Sequence, residues 1–170
     1  GPPGAVSSLG PPSPPNPRMR RLLLVPPLVA ALAFVACTES GPMAPNIETA
    51  NFAASLGVDL ANSTKTSTGL YYRDITVGSG ATVPATGVVS LTNAYVGYLR
   101  SGLEFDSGTF TFNTGTGAVI PGYDEGVRGM RVGGVRQVII PPHLGYGSSG
   151  TGGIPGNSIL VFNITLNSIN

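Results

Sequence analysis

The sequence predicts an α+β domain: a twisted antiparallel sheet packed on one short helix, about 100 residues around a single core. Three observations predict it. From Gly69 onward, apolar residues alternate in short runs bounded by Gly and Pro, which is the period of half-buried strands. One segment breaks that period: Tyr123, Val127 and Met130 fall at i, i+4 and i+7, a single helical stripe. Charge is sparse, at 10% of 170 residues, against about a quarter in an ordinary domain.

The elements follow in order. Leu70–Val77 reads as a strand, closed by Gly78-Ser79-Gly80 and Pro84. Val88–Leu99 alternates long enough for a bent strand, and Ser101-Gly102 turns the chain. Leu103–Asp106 and Thr109–Asn113 read as two short segments. The helix is expected over Pro121–Met130. Pro121 suits its first position, and Asp124 and Glu125 suit its positive end. Its glycines make it weak alone, so the sheet must hold it. Gly134–Ile140 is the next strand, stopped by Pro141-Pro142. Ile159–Leu166 is the last, with Leu160, Phe162, Ile164 and Leu166 on one face.

Composition is uneven upstream. Seven of the 16 prolines lie in Gly1–Pro17, an uncharged Gly/Pro/Ser stretch that cannot bury a core. Residues 1–18 therefore read as a disordered leader, and Met19 as a plausible true start. Residues 19–36 read as a signal peptide: Arg18, Arg20 and Arg21 precede the apolar run Leu22–Ala36, which Pro26-Pro27 interrupts. The run is short for a membrane-spanning helix. Its end, Phe34-Val35-Ala36-Cys37, resembles a bacterial lipobox, which implies lipid attachment at Cys37, the only cysteine in the chain. The alternative is an ordinary signal peptide with a chance or buried Cys. Loss of the three arginines with the signal turns the net charge from +1 to −2. Residues 37–65, rich in Ser, Thr, Ala and Asn, read as a tether, with a short helix conceivable in Asn51–Leu60. The functional domain is expected over residues 66–170.

The same composition excludes several chemistries. Scarce charge speaks against a nucleic-acid partner. One His and one Cys exclude a two-His or Cys-rich metal site and an internal disulfide. Gly145-Tyr146-Gly147-Ser148-Ser149-Gly150 spells GxGxxG, but no helix can start in Thr151–Pro155 and no acid follows Glu125, so a dinucleotide site is rejected. The only lysine, Lys65, lies outside any phosphate loop. His143 follows Pro141-Pro142 without a nucleophile elbow, so it reads as a surface residue. Glu104 and Asp106 are a poor glycosidase pair, since nothing around them suits a sugar. What remains is a set of aromatic residues with one carboxylate: Tyr95, Phe105, Asp106, Phe110, Phe112, Tyr123, Tyr146 and Phe162. By periodicity alone they are either a plain core or an apolar groove.

Their order resolves further. Tyr95-Val96-Gly97-Tyr98-Leu99, Gly102 and Phe105-Asp106-Ser107 resemble the Y-x-G-x-L…G…F-D-S of the FKBP-type peptidyl-prolyl cis-trans isomerases, especially bacterial ones. Phe112-x-x-Gly115-x-Gly117-x-Val119-Ile120-x-Gly122, Ile140-Pro141-Pro142-His143-Leu144-Gly145-Tyr146-Gly147 and Leu160-Val161-Phe162 continue it in register. The resemblance covers the whole region from about Thr66. It implies a curved antiparallel sheet of five or six strands wrapped around one helix, and rotation about X-Pro amide bonds in an apolar pocket, without cofactor or metal. It implies catalytic roles for Tyr95, Phe105, Asp106, Tyr146 and Phe162, and substrate contacts from Phe110, Phe112, Val119, Ile120 and Tyr123. Tyr123 stands where the family often has Trp. The expected partners are proline-containing polypeptides and macrolide inhibitors, the expected state a monomer. With Cys37 lipidated, the protein is expected on the bacterial cell envelope, helping exported proteins to fold. A binding module that holds proline segments without turning them over is the competing reading. It is motivated by the short Ser107–Thr109 link, where many members have more residues.

Overall fold

The structure is a computed structural model, described for residues 44–170. The expected leader 1–18, signal segment 19–36 and lipid site Cys37 lie outside the described residues. Six strands form one antiparallel sheet: β1 (Thr64–Lys65), β2 (Tyr71–Thr76), β3 (Ser90–Leu99), β4 (Glu104–Asn113), β5 (Val135–Ile140) and β6 (Leu160–Ile169), in the order β1-β2-β5-β6-β3-β4. Among the described residues a single α-helix, α1 (Pro121–Val127), packs on one face. The α+β expectation of a sheet wrapped around one helix is met.

Period-two alternation sorts the side chains as expected. On β6, Leu160, Phe162, Ile164 and Leu166 join Leu91, Val127 and Val138 in the core beneath the helix, while Val161 faces the other way. Pro121 occupies the helix start, where its missing N–H costs nothing. The helix ends earlier than its apolar stripe, because Arg128 turns extended with ψ 137°. Met130 is buried all the same, its N–H donating to the Val127 carbonyl at 3.1 Å. Gly126 allows the helix its close seat: a Cβ there would lie 2.7 Å from Val138 Cγ1. At the helix C-terminus the buried Arg136 donates to the Gly126 and Arg128 carbonyls at 3.0 and 2.8 Å and pairs with Asp74 at 2.7 Å.

Two expectations are corrected. The described part of the expected tether, residues 44–65, is folded against the sheet. Ile47 and Leu56 are buried on Tyr71, Ile139, Ile159 and Val161, the face opposite α1. The segment is pinned by Gln137 Nε2 to Leu56 O at 2.7 Å, Ala53 N to Arg100 O at 2.9 Å, and Tyr71 Oη to Glu48 Oε1 at 2.7 Å. It contains two 3-10 turns, Ile47–Thr49 and Ala54–Leu56, in place of the helix considered for Asn51–Leu60. Second, Leu103–Asp106 and Thr109–Asn113 are one strand. Three residues between Asp106 and Phe110 are too few to leave the sheet and return, so β4 runs unbroken.

Candidate active site

The pairing of β3 with β4 builds the site. Gly97 pairs with Asp106 and Tyr98 with Glu104, so Phe105 is an extra residue in β4, a β-bulge. Consecutive strand residues normally face opposite sides. The bulge breaks that rule, and Phe105 and Asp106 line the same cavity. Beyond it the alternation resumes and brings Phe110 to the same wall. Tyr95, two residues before Gly97 on β3, completes this side.

The cavity has a volume of about 460 Å³, within the usual range of ligand pockets. Phe162 of β6 and Phe105 meet edge to face at 5.5 Å. Both rings lie against Gly97, where a Cβ would come within 2.7 Å of Phe105 Cζ and 2.8 Å of Phe162 Cε1. Glycine at 97 is therefore what lets the two rings meet. Tyr123, on the inner stripe of α1, forms the floor, perpendicular to Phe162 at 5.4 Å and to Tyr95 at 6.2 Å. Gly117–Ile120, the segment entering α1, forms the opposite wall, and Tyr146 the upper rim.

Polar groups are few and placed. Tyr95 Oη donates to Asp106 Oδ2 at 2.6 Å. Burial, and then this bond, push the Tyr95 phenol up to about 12, so it stays a donor well into the alkaline range. The Ile120 N–H and the Tyr146 hydroxyl make no hydrogen bond among the described residues. The Gly117–Ile120 wall is held by Asp124: Oδ2 accepts from the Gly115 N–H at 2.5 Å, and Oδ1 pairs with Arg128 Nη2 at 3.0 Å. Tyr146 sits in the long β5–β6 connection, braced by Gly150 N to Tyr146 O at 3.2 Å and Asn157 N to Gly147 O at 2.8 Å.

Of the residues singled out in the sequence, Tyr95, Phe105, Asp106, Phe110, Val119, Ile120, Tyr123, Tyr146 and Phe162 converge on this one cavity. Phe112 is the exception. It is 6% exposed and sits behind the wall, stacked on Phe110 at 5.3 Å and edge-on to Tyr123 at 5.8 Å. Strand period gives Phe110 and Phe112 the same face, but only Phe110 is level with the opening. Gly117 and Ala118 line the cavity and were not singled out; as small residues they carry no chemical signal beyond their place before Val119. His143 is exposed, its Nε2 2.9 Å from the Thr68 carbonyl and apart from the cavity lining. Glu104 faces solvent.

The comparisons with known proteins agree with this arrangement. Residues 81–167 match the family model of the FKBP-type peptidyl-prolyl cis-trans isomerases. FK506-binding protein 3 of Candida albicans is 47% identical over 105 residues, covering 59% of this chain and 24% of that protein. The chain thus spans about a quarter of the length of that curated relative. Among solved structures, AtFKBP13 is similar with a TM-score of 0.59 and 33% identity, over 64% of this chain and 98% of that one. FkpA from Escherichia coli gives 0.57 and 34%, over 64% and 52%. The family model alone takes in just over half of the sequence, including every wall of the cavity, and the chain belongs to the FKBP-type peptidyl-prolyl cis-trans isomerase family.

Proposed function

We propose that the cavity binds the proline of an X-Pro segment and speeds rotation about its amide bond. The observation that carries this is the contiguous ring set Phe105, Phe162 and Tyr123, which lines one cavity with the Tyr95–Asp106 pair on its edge. The X-Pro bond isomerises over a barrier of about 18–20 kcal/mol, in tens to hundreds of seconds. At the top of that barrier the amide is twisted, resonance is lost, the nitrogen is pyramidal and the carbonyl less dipolar. An aromatic slot solvates this less polar state better, relative to water, than it solvates the planar amide. That is differential binding of the transition state, and each 1.36 kcal/mol so gained is tenfold in rate. Phe105 and Phe162 grip the proline ring, and Tyr123 sets its depth. The Tyr146 hydroxyl and the Ile120 N–H orient the flanking carbonyls. Asp106 fixes Tyr95 and sets a negative field beside the amide carbon.

The test is the cis–trans exchange rate of a short X-Pro peptide with the native chain and with Phe162→Ala. Acceleration by the first and not the second is expected; equal rates would refute the reading. Macrolide inhibitors of the kind named in FK506-binding relatives are proposed to compete for the same slot, on a monomeric protein.

The short Ser107–Thr109 link favours a second reading, in which the slot holds proline segments without turning them over. An aggregation assay run beside the exchange measurement separates the two.

The N-terminal segment extends the proposal. Cys37, after the basic cluster and the apolar run Leu22–Ala36, is a lipid-attachment site that places the domain on a bacterial cell envelope, where exported chains fold. The family match begins at residue 81, so this part rests on the sequence alone. Mass spectrometry of the membrane fraction tests it: an acylated Cys37 supports it, and an uncleaved or unmodified one refutes it.

A further inference from the structure

β3 turns Leu91, Asn93, Tyr95 and Gly97 to the face that α1 covers. Asn93 stands where that pattern calls for an apolar side chain. It is 0% exposed, in register with Phe110 of β4 and Leu166 of β6. Neither its Oδ1 nor its Nδ2 hydrogen-bonds to any described residue. The hydroxyl of Tyr123, a residue 3% exposed, is bare in the same sense. Two other buried polar atoms lack partners, Arg73 Nε and Gln137 Oε1, but both side chains are bonded through their remaining nitrogens. Asn93 and Tyr123 are not.

The two belong together. Asn93 lies on the helix-facing side between Tyr95 and its register partner Phe110, whose rings meet the Tyr123 ring at 6.2 and 5.7 Å. No direct hydrogen bond joins the Asn93 amide to the Tyr123 hydroxyl. Burial drives the Tyr123 phenol far above its ordinary value, and the nearby amide pulls the other way. Leaving such atoms unpaired in a core costs more than a typical bond is worth, so native interiors fill such places with ordered water.

We propose that Asn93 and Tyr123 share a buried water beneath the pocket, and that Asn93 is thereby a positioning residue for the proline site. The Tyr123 O–H donates to the water, and the water donates to Asn93 Oδ1, so the bridge needs no direct bond between the two side chains and satisfies both oxygens. Its use is directional. Tyr123 is otherwise held by the rings of Tyr95, Phe110, Phe112 and Phe162, apolar contacts that set no direction of their own. The bond at its hydroxyl does, and so fixes the depth of the floor. This role rests on the proline-pocket reading; the water-bridged pair does not.

The test is a double-mutant cycle in the full chain: wild type, Asn93→Leu, Tyr123→Phe and the double variant, each measured for KM and kcat on an X-Pro peptide and for thermal midpoint. Each single change strands the other partner, so each is expected to raise KM several-fold while kcat falls less, and to lower the midpoint. The double variant is expected to be no worse than either single one. Additive losses in both readouts would overturn the proposal. If Asn93→Leu does not fold, Tyr123→Phe, which removes one oxygen, carries the test: unchanged KM and midpoint overturn it. A wild-type chain that leaves the peptide unturned but gives non-additive midpoints refutes the proline reading and upholds the bridged pair. An isomerase with additive midpoints does the reverse.

Discussion

The Tyr95 hydroxyl donates to Asp106 Oδ2 at 2.6 Å, tying β3 to β4 next to the register shift that places Phe105 in the cavity. One side chain of this pair is a donor held protonated; the other is a carboxylate at the solvent-facing edge of the slot. If Asp106 acts on the amide as well as on Tyr95, Asp106→Val lowers kcat/KM by about tenfold or more, equal to 1.36 kcal/mol. Stability should change by only about 0.5–1.5 kcal/mol, the worth of one exposed bond. Peptide exchange rates beside denaturant melts check this. An unchanged rate in a folded variant reduces Asp106 to a partner of Tyr95.

The raised Tyr95 phenol makes stability pH-dependent in a definite direction. Its ordinary value is 10.0, and burial first, then the Asp106 bond, lift it to about 12 in the folded chain. The folded state therefore holds this proton longer than the unfolded one. The stabilisation it gives is complete below pH 10 and is lost as pH rises through about 12. Tyr123, lifted further by burial, acts in the same direction. Denaturant midpoints measured across this alkaline range should fall, and fall less steeply in Tyr95→Phe. Parallel slopes would contradict the assignment.

Gly97 is the hinge of the aromatic wall. In Gly97→Ala the new methyl would press on Phe105 Cζ and Phe162 Cε1. Overpacking of this kind costs about 1–3 kcal/mol, while the cavity wall that the two touching rings form changes shape. The variant should fold and lose most of its peptide exchange activity. Phe162→Ala should lose activity too, at the larger cost of about 3–5 kcal/mol expected for an emptied buried Phe site. Comparing activity with thermal midpoint in the two variants checks the contrast.

Asp124 links the helix to the pocket wall. Asp124→Ala removes the acceptor for the Gly115 N–H and the partner of Arg128. The expected cost is about 1–3 kcal/mol, that of stranding partly buried groups. Segment 114–120 should exchange its amide hydrogens faster, and peptide KM should rise more than kcat falls. Unchanged exchange at Gly115 would mean that the wall is held by other contacts.

Much of this was legible in the sequence, for physical reasons that differ by element. The Leu160, Phe162, Ile164, Leu166 alternation is a local period and is met throughout; the Tyr123, Val127, Met130 stripe is met as helix only to Val127, with Met130 buried just past the helix end. The converging pocket residues were legible because their order and spacing resemble a known family. The Phe105 bulge was not, since a register shift is a property of two strands and neither states it alone. The docked segment 44–65 was misread because 3-10 turns carry no period and its Ser/Ala/Asn composition looks like a linker. A signal did exist: Val138-Ile139-Ile140 and Leu160-Val161-Phe162 are apolar on both faces, so something had to cover the outer one. Phe112 shares a strand face with Phe110, and period alone cannot tell a lining residue from the one behind it.

The central claim is that this aromatic slot turns X-Pro bonds. Exchange NMR on a short X-Pro peptide measures it directly, with the folded 170-residue chain present at a small fraction of the peptide. Uncatalysed exchange takes tens to hundreds of seconds. The account predicts that the native chain brings exchange below about a second, and that Phe162→Ala, still folded, does not. A folded native chain that leaves the exchange rate at its uncatalysed value contradicts the account.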